Sequence, residues 1–426
     1  DKVCHNALYD VGWLKRENID VKGKIHDTMI AAPLIDEHRR NYSLNQLGLD
    51  YCKEQKDETL LKEAAEAWQI DAKAEMYMLP ASYVGEYAEQ DAVLTLKLWD
   101  KLSAELDNQN LQPIYELESS LLPLLIEMRW KGVRVDILKA EESAKELKIK
   151  EKECIDEIKR KWGIVVDIWA AASVAKVFDK AGLTYPRTEK TRAPSFRGAW
   201  LEQLDHELPK LVVQARKYNK IHSTFIEGMI LDHSKNSRIY GQMHPLRGDN
   251  VGTVSGRFSY STPNLQQVPA RDPVLGPLVR GLFLPEEDAA WGAFDYSQQE
   301  PRLTVHYAHQ LKLKGAEEAL REYAEDDADF HQIVADMAGI SRKDAKIINL
   351  GLSYGMGKDK LLQQLGINEL EAEALFNNYH SRVPFIKELT QTCSRRAENI
   401  GHIKTLLGRR CRFNMFEPRG EKASPL

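Results

Sequence analysis

No run of 18 apolar residues occurs in this 426-residue chain, so no membrane-spanning helix is expected. Cysteine is sparse: Cys4, Cys52, Cys154, Cys393 and Cys411 are scattered, none forms a CxxC, and the count of five is odd. That usage predicts a reduced, intracellular protein. A strong excess of charge of either sign is also missing, with 59 Lys and Arg against 64 Asp and Glu. The formal net charge is −5 although 29% of residues are charged. Whole-chain attraction to nucleic acid is therefore excluded, and any DNA contact must come from local basic surfaces. No internal repeat or low-complexity tract is visible. The chain has neither an initial methionine nor a signal-like start, and its ends, Asp1 and Ser424-Pro425-Leu426, read as cut.

What is present is a large globular chain, 43% hydrophobic, long enough for two to four domains with cores of their own. Residues 1–104 mix short apolar runs with helical patterns, and Tyr87 to Leu102 reads as a helix, so an α/β domain is expected there. Residues 105–240 are strongly helical. The stripe Leu117, Leu121, Leu125 and Met128 predicts a helix ending near Gly132, and Val133 to Val135 alternates like a short strand. Asp136 is placed to cap a long helix through Trp162, whose Lys/Glu spacing marks a solvated face. Beyond Gly241 come turns and then an apolar run, Ala289 to Phe294, suited to a buried strand. Helices are expected from about Glu300 and again from about Gly315.

Two segments carry the chemistry. Asp295 directly follows the apolar run; a carboxylate at a strand end can hold a divalent cation, although a lone Asp there is more often a helix cap. About forty residues on, Ser341 and Asp344 resemble a capping box at the start of a helix. Along it Arg342, Lys346, Leu350 and Tyr354 recur at four-residue intervals, which keeps them on one face. The two cations can grip phosphates, while the apolar and aromatic groups can pack on sugar and base. An amphipathic surface helix is the plainer reading of the spacing alone.

Together these residues resemble a family A DNA polymerase. Asp295-Tyr296-Ser297-Gln298-Gln299-Glu300 is similar to the family's motif A, and Arg342 through Tyr354-Gly355 to its motif B. The resemblance implies that Asp295, helped by the Tyr296 carbonyl, binds two catalytic metal ions, magnesium or manganese. It implies that Glu300 acts as the steric gate beneath the sugar, near Tyr354, and that Arg342, Lys346 and His331 contact the triphosphate. Tyr296, Gln298 and Leu350 join the implied dNTP site, with Tyr354 at the templating base. Leu350 departs from the family pattern, which usually places Phe or Tyr there, so altered nucleotide selection is expected.

Ser255-Gly256-Arg257-Phe258-Ser259 and Pro263-Asn264-Leu265-Gln266-Gln267 resemble the family's minor-groove segment. Arg257, Asn264 and Gln266 would donate to groove acceptors that nearly every base pair presents, while Arg271 and Arg280 would meet phosphates. Arg216 and Lys220 fall where the family's thumb grips the duplex, though a basic helix is also commonly just solvated. Gly408-Arg409-Arg410 resembles a template-side turn. Near the start, Asn6-Ala7-Leu8-Tyr9-Asp10 and Tyr87-Ala88-Glu89-Gln90-Asp91 resemble the second and third motifs of a 3′→5′ exonuclease. Asp10 and Asp91 would then be metal ligands, and Tyr87 would orient the attacking water.

The resemblance thus implies an α/β and α+β multidomain chain. An RNase H-like exonuclease domain (1–104, partial) precedes a right-hand polymerase with thumb (105–240), palm (241–310) and fingers leading back to the palm (311–426). It implies templated DNA synthesis with proofreading, on primer–template DNA and dNTPs, in the cytoplasm of a bacterial or phage-infected cell. No membrane contact is implied; a processivity factor or other replisome protein is an expected partner. The family's first exonuclease motif would lie before Asp1 and its motif C after Leu426. Each metal site in residues 1–426 would then lack a carboxylate, and this polypeptide alone is expected to be impaired in both reactions. The alternative is a catalytically incomplete module that binds primer–template DNA.

Overall fold

In the computed structural model, residues 1–248, 251–270, 272–324, 329–353 and 367–413 are described. The chain divides into two compact units, Asp1–Trp291 and Gly292–Leu426.

The first unit opens with a parallel pair, Lys2–Cys4 beside Ile25–Asp27, crossed over by the helix Ala7–Arg16. Asp27 closes this unit of structure. Its Oδ1 accepts the Asn6 and Met29 N–H groups at 3.0 and 2.8 Å, and its Oδ2 accepts that of Ala7 at 2.7 Å. One buried carboxylate therefore caps both Ala7–Arg16 and Thr28–Ile35. Removing it leaves three backbone donors without that partner, so Asp27→Ala is expected to cost about 2–4 kcal/mol. Urea unfolding monitored by circular dichroism checks this; a midpoint equal to the parent's would show that the cap carries no stability.

The helix read at Tyr87–Leu102 runs from Ala81 to Asn108. It buries Leu94, Leu98, Leu102 and Leu106 against Ile30, Leu34 and Tyr115. The single helix expected through Leu117–Met128 is instead two, Gln112–Ser120 and Leu122–Lys131. Pro123 lacks the N–H that would continue the first helix and favours the start of the second. Asp136 caps Ile137–Trp162 by accepting the Lys139 N–H at 3.0 Å. That helix packs on Glu207–Asn219 and on a π-helical continuation, Lys220–Leu231. Val133–Val135 is the third member of a four-stranded antiparallel sheet, in the order Ser234–Lys235, Arg238–Ile239, Val133–Val135, Phe283–Leu284.

The apolar run expected as a strand is not one. Residues 289–294 are exposed and form no ladder, with Phe294 98% exposed. Hydrophobicity favours burial but supplies no hydrogen-bonding neighbour, and among the described residues no strand pairs with this segment. A strand without a ladder leaves its backbone to water.

The second unit is built on the helices Gln299–Gln310, Ala316–Tyr323, Phe330–Ala338, Arg342–Ser353, Glu369–Arg382 and Pro384–Ile400. Its core gathers Val305, Ala308, Val334, Ala345, Ile348, Tyr379 and Phe385. A hairpin, His402–Lys404 with Arg410–Arg412, follows.

Candidate nucleotide site and exonuclease site

The candidate nucleotide site lies where two short helices meet near their N-termini. Asp329 caps Phe330–Ala338, accepting the His331 N–H at 2.9 Å and that of Gln332 at 3.3 Å. Its other oxygen takes two hydrogen bonds from Arg342, Nε at 2.7 Å and Nη2 at 2.5 Å. Burial pushes the Asp329 carboxyl up, but the Arg342 hydrogen bonds, the capped N–H groups and the Arg342 charge outweigh it and hold it below the usual range. Asp329 thus docks the first turn of Arg342–Ser353 beside His331. A guanidinium has five donors, so those not facing Asp329 can serve an anion.

Lys346 is exposed one helical turn beyond Arg342. Both are close enough to His331 to act on it. Burial first, and then the Lys346 and Arg342 charges, push the imidazole below its ordinary pKa, against the pull of Asp329. His331, Arg342 and Lys346 therefore form one cationic cluster at two helix N-termini, an arrangement suited to phosphate. Ser341 caps the second helix as read: its Oγ accepts the Asp344 N–H at 3.1 Å and donates to the Asp344 carboxylate at 2.6 Å. Tyr354 lies outside the described residues, as does the side chain of Leu350.

Asp295 is exposed on the irregular segment before Gln299–Gln310, and Tyr296 is exposed as well. Gln298 adopts a left-handed conformation (φ 54°) that turns the chain into the helix, and Glu300 sits exposed in its first turn. Arg302 fastens this turn. Its Nε donates to the Ser297 carbonyl at 3.1 Å, and its guanidinium carbon lies 4.9 Å from the Tyr323 ring centre. The Tyr323 hydroxyl donates to Gln298 Oε1 at 3.4 Å. Sequence reading assigned Arg302 and Asp329 no role; a charged residue beside a motif looks like any solvated charge.

In the first unit, the two segments expected at the minor groove hold each other. Gln266 Nε2 donates to the Phe258 carbonyl at 2.9 Å, and Asn264 Oδ1 accepts the Gln266 N–H at 3.1 Å. Gly256 has φ 78°, which lets the loop turn before Arg257. Arg257 is exposed, and Arg280 shares with Gln266 a cavity of about 780 Å³ walled by Val133, Phe283 and Trp291. Arg271 lies outside the described residues. Arg216 faces inward: Nε and Nη1 each donate at 2.7 Å, to the Ile168 and Phe196 carbonyls, and the group stacks on Trp169. The structure therefore does not present it beside exposed Lys220. Arg409 lies at the tight turn of the last hairpin, where Gly408 has φ 94°, and Arg410 begins the returning strand.

The exonuclease residues converge on the face of Ala81–Asn108. Asp10 stands in the first turn of Ala7–Arg16. Burial, reinforced by the Asp27 and Asp91 carboxylates, pushes it up to about 6. Lys56, which sequence reading missed inside a charged run, reaches into this site. Its Nζ lies 2.9 Å from the Tyr87 hydroxyl and 3.0 Å from Asp91 Oδ1, and its side chain is 11% exposed. Burial lowers the Lys56 pKa, but Tyr87 and Asp91 raise it more, so the ammonium is retained. Among the described residues, no three His, Cys, Asp or Glu side chains are grouped to hold a metal ion. Asp10 and Asp91 nevertheless fit a hard cation chemically: they are oxygen donors whose mutual repulsion such an ion would relieve.

Comparison with known proteins identifies the family. The model for DNA polymerase family A matches residues 138–424, and that for a 3′–5′ exonuclease matches residues 1–107. A DNA-directed DNA polymerase of Pseudomonas phage M6 is 37% identical, over 97% of this chain and 70% of the relative. DNA polymerase DpoZ of Acinetobacter phage SH-Ab 15497 is 32% identical, over 98% of this chain and 73% of its own length. The solved polymerase domain of Pol1 from M. smegmatis, in complex with DNA primer-template and dNTP, has a similar fold. Its TM-score is 0.76 at 22% identity, covering 98% of this chain and 70% of that one.

The chain belongs to DNA polymerase family A. It is a DNA-directed DNA polymerase carrying a 3′–5′ exonuclease domain. The mixed α/β architecture follows that order, exonuclease first and polymerase second. No described helix is long and apolar enough to cross a membrane.

Proposed function

We propose that the His331–Arg342–Lys346 cluster binds the triphosphate of an incoming dNTP. Asp295, with the Tyr296 carbonyl, would hold the divalent cations, magnesium or manganese, that activate the primer hydroxyl and stabilise the leaving pyrophosphate. Glu300 and Gln298 border the sugar, and Leu350 and Tyr354 serve the sugar and base of the incoming nucleotide. Arg257, Asn264, Gln266, Arg271, Arg280 and Lys220 attend the primer–template duplex, and Arg409 and Arg410 the template. Arg216 contributes by fixing the thumb core rather than by touching DNA. Asp10 and Asp91 bind metal in the exonuclease site, with Tyr87 aligning water. Residues 1–104 form the exonuclease domain, 105–240 the thumb, 241–310 the palm and 311–426 the fingers and the start of the return. The protein works in the cytoplasm of a bacterial or phage-infected cell, with replisome proteins as partners.

The observation that carries this reading is the cluster itself. One carboxylate, Asp329, caps the helix that carries His331 and pairs with Arg342, and Lys346 stands one turn further on, close enough to act on the imidazole. Template-directed dNTP binding tests it. A fluorescent primer–template ended by a dideoxynucleotide is titrated with each dNTP and magnesium. The reading expects tight binding only of the dNTP complementary to the template base. Equal binding of all four, or none, would favour a module that only binds DNA.

A further inference from the structure

Behind the phosphate-facing cluster lies a buried chain of polar groups from three helices. Tyr379, on Glu369–Arg382, is fully buried in the core of the second unit. Its hydroxyl donates to Asn349 Oδ1 at 2.5 Å. Asn349, on Arg342–Ser353, is 3% exposed. Its Nδ2 lies 3.2 Å from His331 Nδ1.

The chemistry of these groups gives the chain a direction. With the phenol proton directed at the amide oxygen, the amide nitrogen faces the imidazole, and an NH2 group can only donate. His331 Nδ1 must then accept. A neutral imidazole carries one proton, which is therefore placed on Nε2, the ring nitrogen away from Asn349. The surroundings favour that neutral form: the ring is partly buried, and the positive charges of Lys346 and Arg342 act on it against the pull of Asp329.

We propose that Tyr379 and Asn349 are positioning residues for nucleotide binding, which fix the His331 tautomer so that it presents an N–H donor to the triphosphate. This rests on the phosphate-contacting role proposed above for His331. The ligand class is a polyphosphate oxygen, an acceptor with no proton to give at neutral pH. The opposite tautomer would present a lone pair to that oxygen and repel it. Tyr379 touches no substrate; it acts through Asn349 alone.

The test combines Tyr379→Phe, which keeps the ring and removes the hydroxyl, with His331→Ala and with Asn349→Asp. A carboxylate at 349 has only acceptors, so it demands a proton on Nδ1 and reverses the tautomer. Nitrogen-15 NMR of histidine-labelled protein reads the two ring nitrogens. Equilibrium binding of the complementary dNTP to the protein on dideoxy-ended primer–template reads the consequence. Circular dichroism confirms that each variant is folded. In the parent, His331 Nε2 is expected to be the protonated nitrogen, and in Asn349→Asp the assignment is expected to exchange. Tyr379→Phe is expected to weaken dNTP binding about three- to tenfold, as for one lost hydrogen bond, and to have no further effect once His331 is alanine.

A proton on Nδ1 in the folded parent would overturn the proposal, as would a Tyr379→Phe effect of equal size with and without His331. If His331→Ala weakens binding but Tyr379→Phe and Asn349→Asp do not, the relay fails and the phosphate contact stands. If His331→Ala leaves dNTP binding unchanged, the phosphate contact fails, and the relay with it.

Discussion

Lys346→Ala is expected to weaken binding of the complementary dNTP on the order of 100-fold, with primer–template affinity within about twofold of the parent. The magnitude is that of removing one preorganised charged donor from a site where negative charge is concentrated. Lys346 is exposed one turn beyond Arg342 and acts on His331, and the proposed triphosphate would be shared among the three. The duplex is attributed to other residues, Arg257 and Arg280 among them, so the two affinities should separate. Arg342→Ala should be more complex. Arg342 also neutralises Asp329, the cap of the His331 helix, and its loss leaves that carboxylate facing the phosphates. Arg342→Lys restores charge but not the paired geometry and should recover only part of the affinity. Equilibrium titration of the complementary dNTP on dideoxy-ended primer–template, beside a DNA-only titration, measures both quantities. A parallel fall in DNA affinity would place Lys346 in the duplex interface instead.

The second large effect concerns Asp10, and it has opposite signs for stability and for metal binding. The Asp10 carboxyl is pushed from its ordinary value of 3.8 up to about 6 by burial and by Asp27 and Asp91. The folded chain therefore holds a proton that the unfolded chain releases. Between these values the native state binds more protons, so its stability falls as pH rises, and above about 6 the full penalty is present. Asp10→Asn removes that penalty. In EDTA at pH 7.5 (about 1.5 units above the titration), the variant should melt several degrees higher than the parent. At pH 4 the two should nearly coincide. Manganese should reverse the ranking by binding the parent and raising its melting temperature, while leaving the variant unmoved. A variant that is less stable in EDTA at pH 7.5, or that gains as much from manganese as the parent, would remove Asp10 from the metal site.

Much of this architecture was legible because it depends on local signals. Asp136 before a Lys/Glu-rich stretch announced a capped helix, and the cap forms. Ser341 and Asp344 announced another, and the four-residue spacing of Arg342 and Lys346 put both on one face. Features set by long-range pairing were less accessible. Residues 289–294 have a strand's composition, but a ladder requires a neighbour that composition does not name. Pro123 broke a helix whose apolar stripe runs on without interruption. Arg216 lies in a basic helix that reads as solvated, yet its guanidinium is occupied by two carbonyls distant in sequence.

The residues that support the site were the least legible. Lys56, Asp329, Asn349 and Tyr379 act through partners 13 to 35 positions away. No spacing rule connects Tyr379 to His331, because the link passes through a third helix. Asn349 stood inside the motif that identified the family, but its side chain points to the core of the second unit rather than along the phosphate face. Its proposed role emerges from its hydrogen bonds with His331 and Tyr379.

The central claim is that the triphosphate rests on the first turns of the Arg342–Ser353 and Phe330–Ala338 helices. A dNTP carrying a photoreactive group on its γ-phosphate tests this most directly. It is bound with magnesium to the protein on dideoxy-ended primer–template and irradiated, and the labelled peptides are mapped by mass spectrometry. The account predicts label on peptides containing His331, Arg342 or Lys346, displaced by the unmodified complementary dNTP and not by a mismatched one. Label confined to residues 1–104, or label on the helices that no dNTP displaces, would contradict it.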